Sequence, residues 1–192
     1  SGDPKDLEKT DRAAMACIDP DRRPEDRDNY VSIRDAGKNR LVVVSQARIL
    51  YQDALGRMNI ALAFNAMERK KNVGHIMLGR DHHDTGGTDS PFRETANIND
   101  GSNVTADMAT NCFAGNAARG MSLVALHNGV GTGIGKAING GFGLVLDGSQ
   151  RVDATIRSAM NWDVMGGVAR RNWAGNPNAM GVAAAYNRDN DN

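Results

Sequence analysis

Residues 79–95 read GRDHHDTGGTDSPFRET, and from Arg80 to Asp84 every side chain is ionisable. Two histidines stand between two aspartates, and a second arginine, Arg93, follows a run of turn formers. Such a set can do three things. Carboxylates and imidazoles can bind a divalent metal such as manganese or iron. An arginine can hold a carboxylate through two parallel hydrogen bonds while a neighbouring aspartate or histidine moves a proton, which makes a site for an anionic organic substrate. Or the aspartates can cap the backbone of a solvated turn.

Ligand geometry weighs against the metal. Asp81, His82, His83 and Asp84 are consecutive, so their side chains point in different directions and seldom meet on one ion. Asp-His-His after a strand is similar to the DHH-type metal phosphoesterases, but those need further aspartates in a DxDxxG-like arrangement, and none precedes it here. No metal is assigned. The turn reading explains Thr85-Gly86-Gly87 and Asp89-Ser90-Pro91 and leaves the arginines and histidines without a reason. A second unusual loop is His127-Asn128-Gly129-Val130-Gly131-Thr132-Gly133-Ile134-Gly135. It misses the GxGxxG spacing, since Lys136 stands where the third glycine would fall. Its alternate glycines still let a ligand approach the backbone closely. Spacing leaves a ligand contact and a flexible hairpin both open.

These loops need a scaffold. At 192 residues the chain is long enough for one buried domain and short for two. Its 23 basic and 23 acidic residues cancel, so nothing points to nucleic acid or a membrane surface as partner. The longest apolar runs fall far short of a spanning helix. Cys17 and Cys112 are far apart and form no CxxC pair, which suggests neither a zinc knuckle nor a disulfide framework. Two buried, inert thiols in a reducing, cytoplasmic compartment are expected, and the polar, acidic opening residues carry no signal-peptide pattern.

Residues 1–39 read as a helical lead-in. Leu7, Ala13, Ala14, Cys17 and Ile18 give a patchy apolar stripe, Asp21–Asp28 a charged connector, and Gly37-Lys38-Asn39 a stop. Leu41–Val44 is continuous and mostly β-branched, as in a strand buried on both faces. A helix is expected from about Gln52 to Lys71, offering Leu55, Met58, Ile60, Leu62, Phe64 and Met67 to the core and ending on basic residues. A strand around His75–Leu78, a helix over 104–119, buried strands at Ser122–Leu126 and Phe142–Leu146, and a helix over Val152–Met160 follow. The expected fold is α/β, a largely parallel sheet with flanking helices. It would form a single domain over 1–192, with an α/β core at 40–175 and a loose tail at 176–192. In such sheets the ligand lies beyond the carboxyl ends of the strands, where the loops after Leu78 and Leu126 both stand.

The motifs together resemble one family. Arg80-Asp81-His82, Ser90-Pro91-x-Arg93-Glu94-Thr95, Asp100-Gly101-Ser102 and the glycine loop from His127 to Gly135 are similar to urocanate hydratase (urocanase). Ser45–Tyr51 and Asn139–Gly143 resemble its longer, eukaryote-like form, and Asp147-Gly148 and Gly167–Arg171 extend the match. The resemblance implies hydration of urocanate to imidazolonepropionate in histidine breakdown, with tightly bound NAD+ acting as an electrophile and not as a hydride acceptor. By the same resemblance Asp81 handles water or the imidazole, and Arg93 is the active-site cation that binds substrate. Arg48 and His82 support them, and Gly131, with Gly129 and Asn128, contacts NAD.

The sequence also departs from the family. Arg48-Ile49-Leu50-Tyr51 stands where many bacterial members have Arg-Ile-Cys-Trp, as it does in the longer subfamily. Val130 and Thr132 alter the glycine loop, and Ser122-Leu123 replace a usual Thr-Trp pair. The chain resembles only the C-terminal part of a urocanase, part of its core domain without the NAD-binding Rossmann-like domain. The implied partners are urocanate, the remainder of the enzyme, and a second copy in a homodimer of the full-length form. A chain in isolation is then expected to be inactive. The competing reading is a non-catalytic binding module that keeps the fold.

Overall fold

The computed structural model describes residues 1–40, 47–79, 107–128 and 138–190. In chain order these form α1 (Pro4–Cys17), α2 (Pro24–Ala36), α3 (Ala54–Arg69), β1 (Ile76–Gly79), α4 (Asp107–Ala118), β2 (Leu123–Asn128), β3 (Ile138–Leu146), α5 (Gln150–Trp173) and α6 (Pro177–Asn190). The expected strand at Leu41–Val44 lies outside the described residues. The chain divides into two compact units where the sequence suggests one domain: 1–78 with 145–157, and 79–144 with 158–192.

In the first unit α1 packs on α2 and α3. Asp3 caps α1 by accepting from the Lys5 amide at 2.9 Å, and Pro4 takes the first helical position, where a missing N–H costs nothing. α2 buries Asp26, Asn29, Ile33 and Ala36, a helical stripe whose first two members are polar. α3 starts at Asp53, whose carboxylate accepts from the Gly56 amide at 2.8 Å. Its inner face is smaller than the sequence suggests. Ile60 and Phe64 are buried, but Ala54, Gly56, Ala61 and Asn65 complete that face, and Leu55 is left exposed.

A polar staple closes this unit. Asn65, fully buried, accepts from the Gly148 amide at 2.8 Å and donates to the Ser149 carbonyl at 3.0 Å and to Asp153 at 2.7 Å. Arg69 donates to the Gly148 carbonyl at 2.6 Å and pairs with Asp153. Gly148 sits at φ +76°, and a Cβ there would lie 2.7 Å from the Arg69 backbone, so both conformation and space exclude a side chain.

In the second unit α4 packs on β2 and buries Ala109, Cys112 and Asn116. α5 belongs to both units: its buried stripe is Val152, Thr155 and Ile156 in the first and Ala159, Met160 and Asp163 in the second. It runs well past the expected Met160. Gly166 does not break it, because Trp162 and Arg170 flank that glycine. A Cβ on Gly115 would meet the Trp162 ring at 2.0 Å, and Arg119 stacks over the same ring at 4.2 Å. The segment expected as a loose tail is α6. Pro177 begins it and the Asn176 side chain accepts from the Ala179 amide at 3.1 Å.

The sheet corrects the expected fold class. It has three strands in the order β1-β3-β2, and β2 pairs antiparallel with β3, Leu123 opposite Gly143 and Leu126 opposite Gly140. The largely parallel α/β sheet is not formed. A parallel pair needs a crossover of about a dozen residues or more, usually a helix, and only nine residues lie between Asn128 and Ile138. Nor is β2 buried on both faces, since Leu123 is 54% exposed. β3 is buried without a break from Gly140 to Leu144, and alternates only at its end, with Val145 outside and Leu146 inside.

Gly148→Ala is expected to destabilise the chain by roughly 2–4 kcal/mol, from the left-handed conformation together with the backbone clash. Gly175→Ala shares the positive φ with open space around it, so it should cost only about 1–2 kcal/mol. Urea unfolding of the two variants checks the difference.

Candidate functional site

Of the residues expected in the site, Arg48 and Asn128 are described, one in each unit. Asp81, His82, Arg93, Gly129 and Gly131 lie outside the described residues. What the structure shows is the frame from which these segments leave.

The first segment, 47–53, has neither helical nor strand structure, and side chains hold it in place. Arg48 donates through Nη2 to Asp11 on α1 at 2.9 Å, and both side chains are largely buried. That burial pushes the Asp11 carboxyl up, against the hydrogen bond and charge of Arg48. At Tyr51 the backbone amide donates to Asn29 Oδ1 at 3.0 Å and the carbonyl accepts from Asn29 Nδ2. One side-chain amide thus replaces a neighbouring strand. Arg57 donates to the Gln52 carbonyl at 2.6 Å.

Asp53 ends the segment within a cluster of four charges. Asp26, 1% exposed, accepts from Arg22 Nε at 2.9 Å and from Arg23 Nε and Nη2 at 2.9 and 2.7 Å. Arg22 and Arg23 also reach Asp53, at 3.0 and 3.5 Å. The hydrogen bonds from Arg23 hold the Asp26 carboxyl well below the usual carboxylate range, although burial opposes them. Asp11, Asp26 and Asn29 are the positioning residues that hydrophobic pattern reading misses. The available signal was two polar positions on the buried stripe of α2.

The second segment is β1, which ends at Gly79 directly before the charged loop. Its entry is pinned to α1: the Gly74 amide donates to Asp6 at 2.8 Å and Lys9 donates to the Asn72 carbonyl at 2.6 Å. Asp6 also accepts from Ser1 at 2.7 Å and Lys9 at 3.0 Å. Led by the Gly74 amide, these donors lower the Asp6 carboxyl to a pKa of about 2. Next to the pin, His75 pairs with Glu68 at 2.8 Å.

The third segment is the end of β2. Asn128 is its last residue, opposite Ile138, and the glycine loop begins immediately after it. On β3 the buried glycines 140, 141 and 143 face Leu126, Ala125 and Leu123, so the partner strand carries no side chains at these positions. Among the described residues no three histidine, cysteine, aspartate or glutamate side chains gather as a metal site, and no helix is long and apolar enough to cross a membrane.

Helices and a small antiparallel sheet, whose strands β1 and β2 end at Gly79 and Asn128, make the described residues of a mixed helix–sheet class. The family described as "Urocanase C-terminal domain" matches residues 1–185, and the chain belongs to that family. It is 49% identical to "Urocanate hydratase" of Mus musculus over 199 aligned residues, covering 99% of this chain and 29% of that protein. It is 48% identical to the protein of the same name from Homo sapiens, over 99% of this chain and 29% of that one. With "Probable urocanate hydratase" of Caenorhabditis elegans it shares 50% identity over 94% of this chain and 28% of the relative. The chain therefore spans under a third of the length of these relatives.

Because the Asp6 pKa is depressed on folding, its contribution to stability is full above the unfolded value near 4 and is lost as pH falls from about 4 to about 2. Asp6→Asn is expected to flatten the fall of the urea midpoint across that window. An unchanged acid limb in the variant would mean the pin does not form.

Proposed function

We propose that the chain is the C-terminal portion of a urocanate hydratase. Together with the rest of the enzyme it adds water to urocanate, giving 4-imidazolone-5-propanoate in histidine degradation. The observation that carries this reading is the 49% identity to the mouse enzyme across 99% of the chain. Arg93 holds the substrate carboxylate through its planar fork, where two parallel hydrogen bonds fix orientation as well as charge. Asp81 takes or positions the proton of the attacking water, with His82 beside it. Arg48, already bound to Asp11, orients its own segment and supports the substrate end of the site.

The alternate glycines that follow β2 in the sequence suit the close approach of a dinucleotide, and Asn128, Gly129 and Gly131 would hold NAD. When bound, NAD+ supplies an electrophile for the imidazole. The protein's part is to orient the two partners and hold the proton. The remainder of the enzyme supplies the dinucleotide domain, the full-length form is a homodimer, and it works in the cytoplasm.

Loss of urocanate's ultraviolet absorbance in the presence of NAD+ tests the proposal. The chain is assayed alone, and then assembled with the preceding portion of mouse urocanate hydratase. Turnover is expected only in the assembly, with Asp81→Asn and Arg93→Ala each lowering kcat/KM by roughly 100-fold or more. Turnover by the chain alone would overturn the shared site. A silent assembly would leave a binding module in its place.

A further inference from the structure

The 47–53 segment combines two properties that rarely occur together in a surface connection. Along most of its length it is tied down: Arg48 to Asp11, the Tyr51 backbone to Asn29, the Gln52 carbonyl to Arg57, and Asp53 to Arg22, Arg23 and the Gly56 amide. Yet the apolar side chains on this segment and the first turn after it point outward. Ile49 is 56% exposed, Tyr51 64% and Leu55 52%. A loop with no binding role has no need for such restraint. A rigid apolar strip with an aromatic member is what an interface requires, because the ordering entropy has already been lost before contact.

We infer that Ile49, Tyr51 and Leu55 form an interface strip, and that its occupant is the portion of the longer enzyme chain that precedes this region in the relatives. The inference rests on the reading that this chain is one part of such an enzyme. Three observations select that occupant. The matched region is 29% of the mouse relative and belongs to a family named for a C-terminal domain, so most of the relative's chain is available to cover the strip. The charges flanking it are paired among themselves, Arg48 with Asp11 and Arg22 and Arg23 with Asp26 and Asp53, so the strip offers an apolar contact and no net field for steering a charged partner. Finally, three side chains on one short segment are far from the roughly 800 Å² per partner that a stable association of separate molecules buries. A contact within one chain loses less rigid-body freedom on forming, because the tether already holds the two parts close, and so the strip can serve as one part of such a contact.

Hydroxyl-radical footprinting with mass spectrometry tests this without reference to turnover. The isolated chain is compared with full-length mouse urocanate hydratase in which this chain replaces the matching portion. Tyr51 is expected to be modified at least ~5-fold more slowly in the long protein, as for a side chain excluded from water at the centre of an interface. Equal modification in both would overturn the inference. So would protection in the isolated chain that grows with its concentration, since that marks a second copy as the occupant. A second variant guards against a hybrid that fails to fold: a photo-crosslinking residue placed in the unmodified mouse enzyme at the position aligned with Tyr51. It is expected to capture the preceding portion of its own chain, and capture of another subunit or of nothing would overturn the proposal. Urocanate turnover by the same long protein is a separate readout, so failure of the interface and failure of the proposed activity are distinguishable.

Discussion

The first unit depends on one buried carboxylate. Asp26 is almost wholly removed from water, and alone it would be a heavy liability. Two arginines prevent that, and their geometry explains why the arrangement is favourable. Each guanidinium is more than a third exposed, so it keeps much of its hydration, and desolvation falls mainly on one partner. The depressed Asp26 pKa has the same meaning: the hydrogen bonds outweigh the burial that opposes them. Because the same arginines reach Asp53, the start of α2 fixes the start of α3. The N-cap of α3 and the 47–53 segment take their positions from a single charge cluster.

The other connections of this unit obey a related rule. Asn29, Asp6 and Asn65 each take hold of backbone groups that no strand or helix satisfies. Asn29 and Asn65 use an amide that both donates and accepts, so one side chain can stand in for a peptide group. Each asparagine bond contributes only about 1 kcal/mol net, but losing the Asn65 side chain would strand the buried Gly148 amide, which costs more. These staples are therefore constraints on shape more than reserves of stability. They allow irregular segments to be held as firmly as regular ones, which matters where a loop must present chemistry.

The elements themselves were legible where periodicity and caps speak clearly. The helical lead-in over 1–39, the Gln52–Lys71 pattern and the 104–119 pattern all correspond to helices, although α2 begins inside the expected connector at 21–28. The sheet was not legible, because a short apolar run such as Ser122–Leu126 does not state whether one face or two will be covered, nor which way its partner runs. Asn65, Asp26 and Asn29 were missed for a different reason. Hydrophobic pattern reading assigns the core to large apolar residues, so Leu55 was placed inside and Asn65 passed over, whereas contact with the 147–149 turn decided the reverse. For α6, polar and small residues looked loose, and only Pro177 with the Asn176 cap signalled a helix.

Loss of the parallel sheet also removes one argument for the site. The rule that ligands gather beyond the carboxyl ends of parallel strands does not apply to an antiparallel pair. The case for the charged and glycine loops now rests on how their entry points are held. β1 reaches Gly79 from a turn pinned by Asp6 and Lys9, and β2 reaches Asn128 paired with Ile138 on β3. Groups that clamp and hydrate a substrate must stay within a fraction of an ångström of their working geometry. β1 is only four residues long, so polar side chains such as Asp6 and Lys9 hold its entry. Loss of Asp6, Asn29 or Asp26 would therefore disturb the segments that they hold in place, whatever residues follow those segments in the chain.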